Sequence, residues 1–368
     1  MATTTTIPWW LPEVGGDERD AVTRVVDSNY LNEGEVAAEF ERRAAALFGT
    51  RHAVAATSGT SAIFLALAAC GIGPGDEVIV PDVTFIATAN AVRLTGARAV
   101  LVDVDEATLN VAPAAIERSL TPRTKAIVPV HVSGRAAAMT EILSVAERHG
   151  IPIVEDAAEA LLSKHAGRQL GTFGHAGCFS FSPNKTITTG QGGLIVTDDE
   201  AVAVRVRELK DHGRPVRGTG GNDIHASLGY NFKLTNLQAA VGVAQLPKLE
   251  PRAAHQRDLY RWYAEGLAGL SPVRLLPFDV DGGETPQWVD AVVDERDALV
   301  DHLKRHDMHC RPFWYPIHTQ QPYREDDAAF PVSTRLMPAA VWLPSALQLT
   351  ETDVRLVCNE IRRFYSSR

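Results

Sequence analysis

The run CFSFSPNKTITTGQGG, residues 178–193, sets Lys185 just beyond a short apolar strand candidate and ahead of a turn rich in threonine and glycine. An amine held at a strand end and partly withdrawn from water gives up its proton readily enough to attack a carbonyl carbon and form a Schiff base. A lone loop lysine is usually just solvated, so this reading needs partners. PIVEDAAEA supplies Asp156 at the end of another apolar run. A carboxylate there points into the ligand crevice of an open α/β sheet, where it can keep a ring nitrogen protonated. It could equally cap the helix that follows. Glu155 faces the other way, and Glu159, one helical turn on, either reaches a ligand oxygen or amine or lies on a solvated face. In TSGTSA, residues 57–62, a glycine-containing turn opens a helix, and Gly59, Thr60 and Ser61 offer amides and hydroxyls to a phosphate, or simply cap the helix. Phe85 in PDVTFIATAN is either a stacking surface for a flat ring or plain core. A Schiff-base lysine, a carboxylate for a ring nitrogen, a phosphate cradle and an aromatic face are together what pyridoxal 5'-phosphate requires.

These residues need a scaffold that brings strand ends together, and residues 50 to about 200 supply it by alternating short β-branched runs with helical stretches. The strand candidates are 52–57, 77–81, 97–104, 125–131, 152–157, 177–182 and 192–198, several apolar on both faces as a buried parallel sheet demands. Helices are expected over 60–69, 112–119 and 139–149, and a helical stretch from Thr235 leads into a long charged helix over about 251–267. Beyond about 270 the texture changes to a strand at 288–293 and helices at 296–306 and 351–365. The expected class is α/β: a large domain, 1–250, with a mostly parallel sheet sandwiched by helices and an N-terminal arm, then a small α+β domain, 251–368. The glycine-rich run RGTGGNDIH, 217–225, is the candidate mobile loop.

Composition narrows the class further. A chain of 368 residues, 45% hydrophobic and 22% charged, can bury a large core. A net charge of -9 offers no basic face to displace counterions from nucleic acid. Cys70, Cys178, Cys310 and Cys358 have no paired spacing for a zinc site or a disulfide framework, so no metal and free thiols are expected. MATTTTIPWWLPEV has neither a basic start nor an apolar signal core, and no apolar run reaches the roughly 20 residues of a membrane span. A cytoplasmic protein is the expectation.

The motifs SGTSA, GIGPGDEVIVPDVTFIATANAV, TPRTKAIVPVH, EDAAEA, CFSFSPNKTITTGQGG and GYNFKLTNLQAA resemble the sugar aminotransferases of the DegT/DnrJ/EryC type, fold-type I pyridoxal-phosphate enzymes. The resemblance runs from about Asn29 to Tyr323. It implies that Lys185 carries the cofactor, that Asp156 binds the pyridine nitrogen, that Thr60, Ser61 and Ser180 hold the phosphate, that Phe85 covers the ring and that Glu159 sits near the phenolic oxygen. It also implies a homodimer whose Asn231 reaches the neighbouring subunit's phosphate site. Glu159 and RPFWYPIHTQQPY resemble the perosamine-synthase branch, which implies amino transfer from an amino acid, most often L-glutamate, to a nucleotide-linked 4-keto-6-deoxy sugar. Arg311, Tyr315 and His318 are the candidate substrate contacts. Ser133, Ala138 and Gln191 depart from the family pattern, standing where tyrosine, aspartate and glutamate are common.

Alternatives remain at this point: a sugar dehydratase, in which a histidine typically replaces the lysine; an aminotransferase acting on a cyclitol ketone; and a non-catalytic regulator built on the same fold. A nicotinamide enzyme would need G-x-G-x-x-G after the first strand, which AATSGTSA lacks.

Overall fold

The computed structural model describes residues 6–215 and 223–367. Most of the candidate mobile loop, 217–222, lies outside them. Seven strands form the main sheet: β1 (His52–Ala56), β2 (Glu77–Pro81), β3 (Arg98–Val102), β4 (Thr124–Ile127), β5 (Val154–Asp156), β6 (Ala176–Ser180) and β7 (Gly193–Thr197). β2 lies between β3 and β4, parallel to both, and β5 runs parallel to β6. β7 runs antiparallel to β6 on one side and to β1 on the other. Parallel bridges Ile127–Ile153 and Val130–Asp156 join the two halves, giving the order β3-β2-β4-β5-β6-β7-β1.

The strands alternate between two cores because successive side chains leave opposite faces. Val54, Ala56, Val78, Val80 and Cys178 pack with α1 (Gly59–Ala69) on one side. Ala53, Ala55 and Phe179 pack with Phe40 and Phe48 on the other, where Phe48 and Phe179 stack at 4.3 Å. α1 is apolar around most of its circumference and is buried from Ser61 to Leu67, as a helix roofed by other helices must be. The expected strand 125–131 stops at Ile127. Pro129 cannot donate to the ladder, and Val130 rejoins only through its bridge to Asp156.

A second, antiparallel sheet has the order β8-β9-β11-β10, from β8 (Val273–Leu275), β9 (Asp290–Val293), β10 (Arg311–Pro312) and β11 (Ala340–Trp342). It shares a core with α2 (Leu249–Gly266), α3 (Arg296–Arg305) and α4 (Glu351–Ser366), through Leu259, Leu299, Val341, Val357 and Ile361. A segment near the beginning of the described residues joins this core. Ile7 is buried in it, and its amide donates to the carbonyl of Asp307 at 2.8 Å. Buried Arg135 ties the two sheets together, donating to Asp290 at 2.7 Å and to the carbonyl of Pro277 at 2.7 Å. Among the described residues no helix is long and apolar enough to cross a membrane.

Candidate active site

A cavity of about 370 Å³ opens where the parallel strands end, and Gly59, Thr60, Phe85, Asp156, Glu159, Ser180, Lys185 and Arg311 all line it. Each stands at or just beyond a strand's carboxyl end, or on β10 of the second sheet, which is where open α/β sheets take ligands.

Lys185 is 9% exposed. Its Nζ donates to Oε1 of Glu159 at 3.2 Å and stands 4.8 Å from the ring centroid of Trp288. Gln287 holds the loop that carries it: its Oε1 accepts from the amide and hydroxyl of Thr186, and its Nε2 donates to the carbonyl of Asn184. The lysine is therefore gripped on both flanks by one amide side chain.

Asp156 closes β5. Its Oδ2 accepts from Thr88 Oγ1 at 2.7 Å and its Oδ1 from the amide of Ala158 at 3.1 Å. Burial pushes its carboxyl above the usual range, while Thr88, the Ala158 amide, Lys185 and His131 pull the other way. Glu159 is raised for the same reason, burial, against the pull of Lys185 and of the Ser133 amide, which donates to Oε2 at 2.9 Å. Ser133 reaches this position with φ at 55°, a left-handed conformation uncommon outside glycine and characteristic of functional sites. Beside them His131 takes the amide of Ala137 at Nδ1, so its proton lies on Nε2 and is donated to Glu155 at 2.9 Å. Glu155 also accepts the amides of Gly171, Phe173 and Gly174. It fixes the floor of the site and stays out of the cavity.

The turn between β1 and α1 makes an anion cradle. The amide of Ser61 goes to the side chain of Ser58 and that of Ala62 to its carbonyl, leaving those of Gly59 and Thr60 at the helix start for a ligand. A Cβ on Gly59 would stand 2.9 Å from Cβ of Ser180, so glycine allows the two walls to approach. Ser180 and Ser182 share a hydrogen bond at 3.0 Å. A buried amine, a buried carboxylate and this cradle fit pyridoxal phosphate in kind and in number.

Four other expected residues stand elsewhere. Ser61 completes the capping box of α1, its hydroxyl engaged by Ser58 and Thr57. Tyr315 is 73% exposed and does not line the cavity. His318 is fully buried, with Nδ1 2.6 Å from Asp82, its amide on the same carboxylate and its ring stacked on Phe330. It packs structure together. Asn231 is exposed outside the cavity of its own chain and bridges Asp211.

Sequence reasoning missed the aromatic wall, Trp288 and Trp314, with Arg311 stacked 4.8 Å over Trp9. It also missed Thr88 and Ser133 as supports of the two carboxylates. The threonine pair Thr84 and Thr88, four apart and hydrogen-bonded at 2.9 Å, was the available signal.

Comparison with known proteins agrees with this geometry. The model of the DegT/DnrJ/EryC1/StrS aminotransferase family matches residues 12–362. The GDP-perosamine synthase of Caulobacter vibrioides is 38% identical over 353 residues, covering 93% of this chain and 94% of that protein. The structure of S. venezuelae DesV in complex with a ketimine intermediate is 34% identical, with a TM-score of 0.90 over 94% of both chains. DesI, solved in the presence of its TDP-sugar product, is 32% identical with a TM-score of 0.89, over 99% of this chain and 94% of that one. The fold is that of fold-type I aminotransferases, and the enzymes of this family use pyridoxal phosphate. With its lysine, carboxylate and phosphate cradle in one cavity, the chain belongs to the DegT/DnrJ/EryC1/StrS aminotransferase family, as a pyridoxal-phosphate-dependent sugar aminotransferase.

Proposed function

We propose that the enzyme moves an amino group from an amino acid, L-glutamate by family habit, to a nucleotide-linked keto-deoxy sugar, a 4-keto-6-deoxyhexose. The observation that carries this reading is Lys185 within 3.2 Å of Glu159 in a cavity that Asp156 also lines. Bound pyridoxal phosphate supplies the electron sink that lets a carbon–hydrogen bond beside the nitrogen break. Lys185 holds the cofactor and, once freed, takes a proton at Nζ from the amino acid and returns one to the sugar. Glu159 keeps that amine oriented, and its charge matches a cationic nitrogen. Asp156, seated by Thr88 and the Ala158 amide, is the carboxylate for the ring nitrogen. Gly59, Thr60 and Ser180 take the phosphate, and Phe85 covers the ring. Arg311 on its tryptophan bed faces the substrate side and suits an anionic group.

A perosamine-synthase relative at 38% identity and a neighbour holding a TDP-sugar product support a nucleotide sugar as the acceptor. We place the active site in a homodimer. The segment holding Asn231 carries exposed apolar side chains, with Leu228 91% exposed and Ile224 and Tyr230 also open, as a surface awaiting a second copy does. Asn231 would then reach the partner's cradle.

The test is an absorbance spectrum of the loaded enzyme with and without excess L-glutamate, beside Lys185→Ala. The visible band should fall on adding glutamate in the wild type and persist in the variant. A wild-type band that no amino acid changes would end the transaminase reading.

A further inference from the structure

Away from the cavity, three potential ligands meet on the second sheet's helices. His302 on α3 and His306, just past its last residue, are four positions apart and share a face. Both direct Nε2 at one atom, Oε1 of Glu360 on α4, at 2.8 and 3.3 Å. One ligand atom from each residue lies within 4.8 Å of the others.

Two of their other polar atoms are already engaged. Oε2 of Glu360 accepts from Arg363 at 2.6 Å. Nδ1 of His306 is 3.0 Å from the carbonyl of His302. A carbonyl only accepts, so Nδ1 carries a proton, which leaves Nε2 as the ring atom that can offer a lone pair to a metal on the Glu360 side. Two imidazole Nε2 atoms converging on one carboxylate oxygen place three potential ligand atoms around a common point. An imidazole N–H on a backbone carbonyl and a carboxylate braced by a guanidinium are also the outer contacts that orient metal ligands. The site is walled on one side by Phe364, 5.2 Å from the His302 ring, and open at His306, which is 42% exposed.

We propose that His302, His306 and Glu360 bind a divalent transition metal such as zinc, with solvent completing the coordination. Two imidazoles and one carboxylate suit zinc, cobalt or nickel better than magnesium or calcium, which take oxygen ligands alone. The ion would clip α3 to α4 and stabilise the folded protein in proportion to its affinity.

The experiment uses tag-free enzyme loaded with pyridoxal phosphate, dialysed at about pH 8, where imidazole is neutral, against micromolar zinc chloride. Metal content and thermal midpoint are compared with His306→Gln, a change at an exposed position that keeps the fold. We expect the wild type to retain about one zinc per chain more than the variant, and zinc to raise the midpoint of the wild type alone. Equal zinc content in the two proteins, or a midpoint that zinc moves equally in both, overturns the site.

Discussion

Lys185, Asp156 and Glu159 are held in a mutual arrangement that none of them would keep alone. Burial disfavours ionisation of both carboxyls, and the Lys185 ammonium is the main charge working against it at Glu159. In the loaded enzyme the charge of Glu159 would act on the nitrogen through which the cofactor is held. A carboxylate beside a cationic nitrogen favours the protonated form, so removing its charge lowers the pH at which the nitrogen gives up its proton. Glu159→Gln keeps the shape and deletes the charge. We expect the pH midpoint of the visible band in the loaded enzyme to fall by about one unit or more, measured by spectrophotometric titration. An unchanged midpoint would mean that Glu159 is already neutral there. The variant also tests whether the glutamate sets turnover, because glutamine retains the Ser133 contact and loses only the charge.

At the scale of elements, the helix Gly16–Asp27 buries Ala21 and Val25 against Ala240, and its polar anchor is Glu18. Glu18 is buried and accepts from Lys248 at 2.5 Å, from Gln245 at 2.8 Å and from the amide of Gly15 at 2.7 Å. Burial alone would raise its carboxyl, yet these partners bring it down to about 2. A carboxyl lowered in the folded state contributes stability above its unfolded value near 4.3, and that contribution is lost as the pH falls through about 2. The contribution is on the order of 3 kcal/mol. Glu18→Gln should therefore lower stability at neutral pH and flatten its fall between about pH 5 and pH 2, followed by urea unfolding across pH. This anchor was not legible in the sequence, since Gln245 lies 227 positions away. What was legible obeyed local rules. The main-sheet strands announced themselves as short apolar runs, and Asp156 and Lys185 stood out because one ends such a run and the other follows one closely. Ser61 misled because a serine three residues after a serine cap serves the helix as readily as a phosphate. His318 misled because nothing near it signals Asp82, 236 positions earlier, and Trp288 was hidden because a core strand and a cavity wall share the same apolar pattern.

The whole molecule sets two sheets around one cavity, and its function depends on how firmly they are joined. If the exposed apolar stretch ending at Asn231 is the dimer surface, Leu228→Arg should shift sedimentation toward the monomer and weaken cofactor retention together. Loss of the dimer with cofactor binding intact would remove Asn231 from the site. Within one chain the joint is Arg135 on Asp290 and, closer to the chemistry, Gln287. That glutamine precedes β9, yet its side chain holds Asn184 and Thr186 on either side of the lysine, while its amide donates to Ser133, whose own amide holds Glu159. One residue thus aligns both members of the Lys185–Glu159 pair. Over generations positions 133, 186 and 287 should drift unequally: the contacts of Ser133 with Gln287 and Glu159 run through backbone atoms and survive a new side chain, whereas a substitution at 287 releases Asn184 and Thr186 together, so position 287 should vary least.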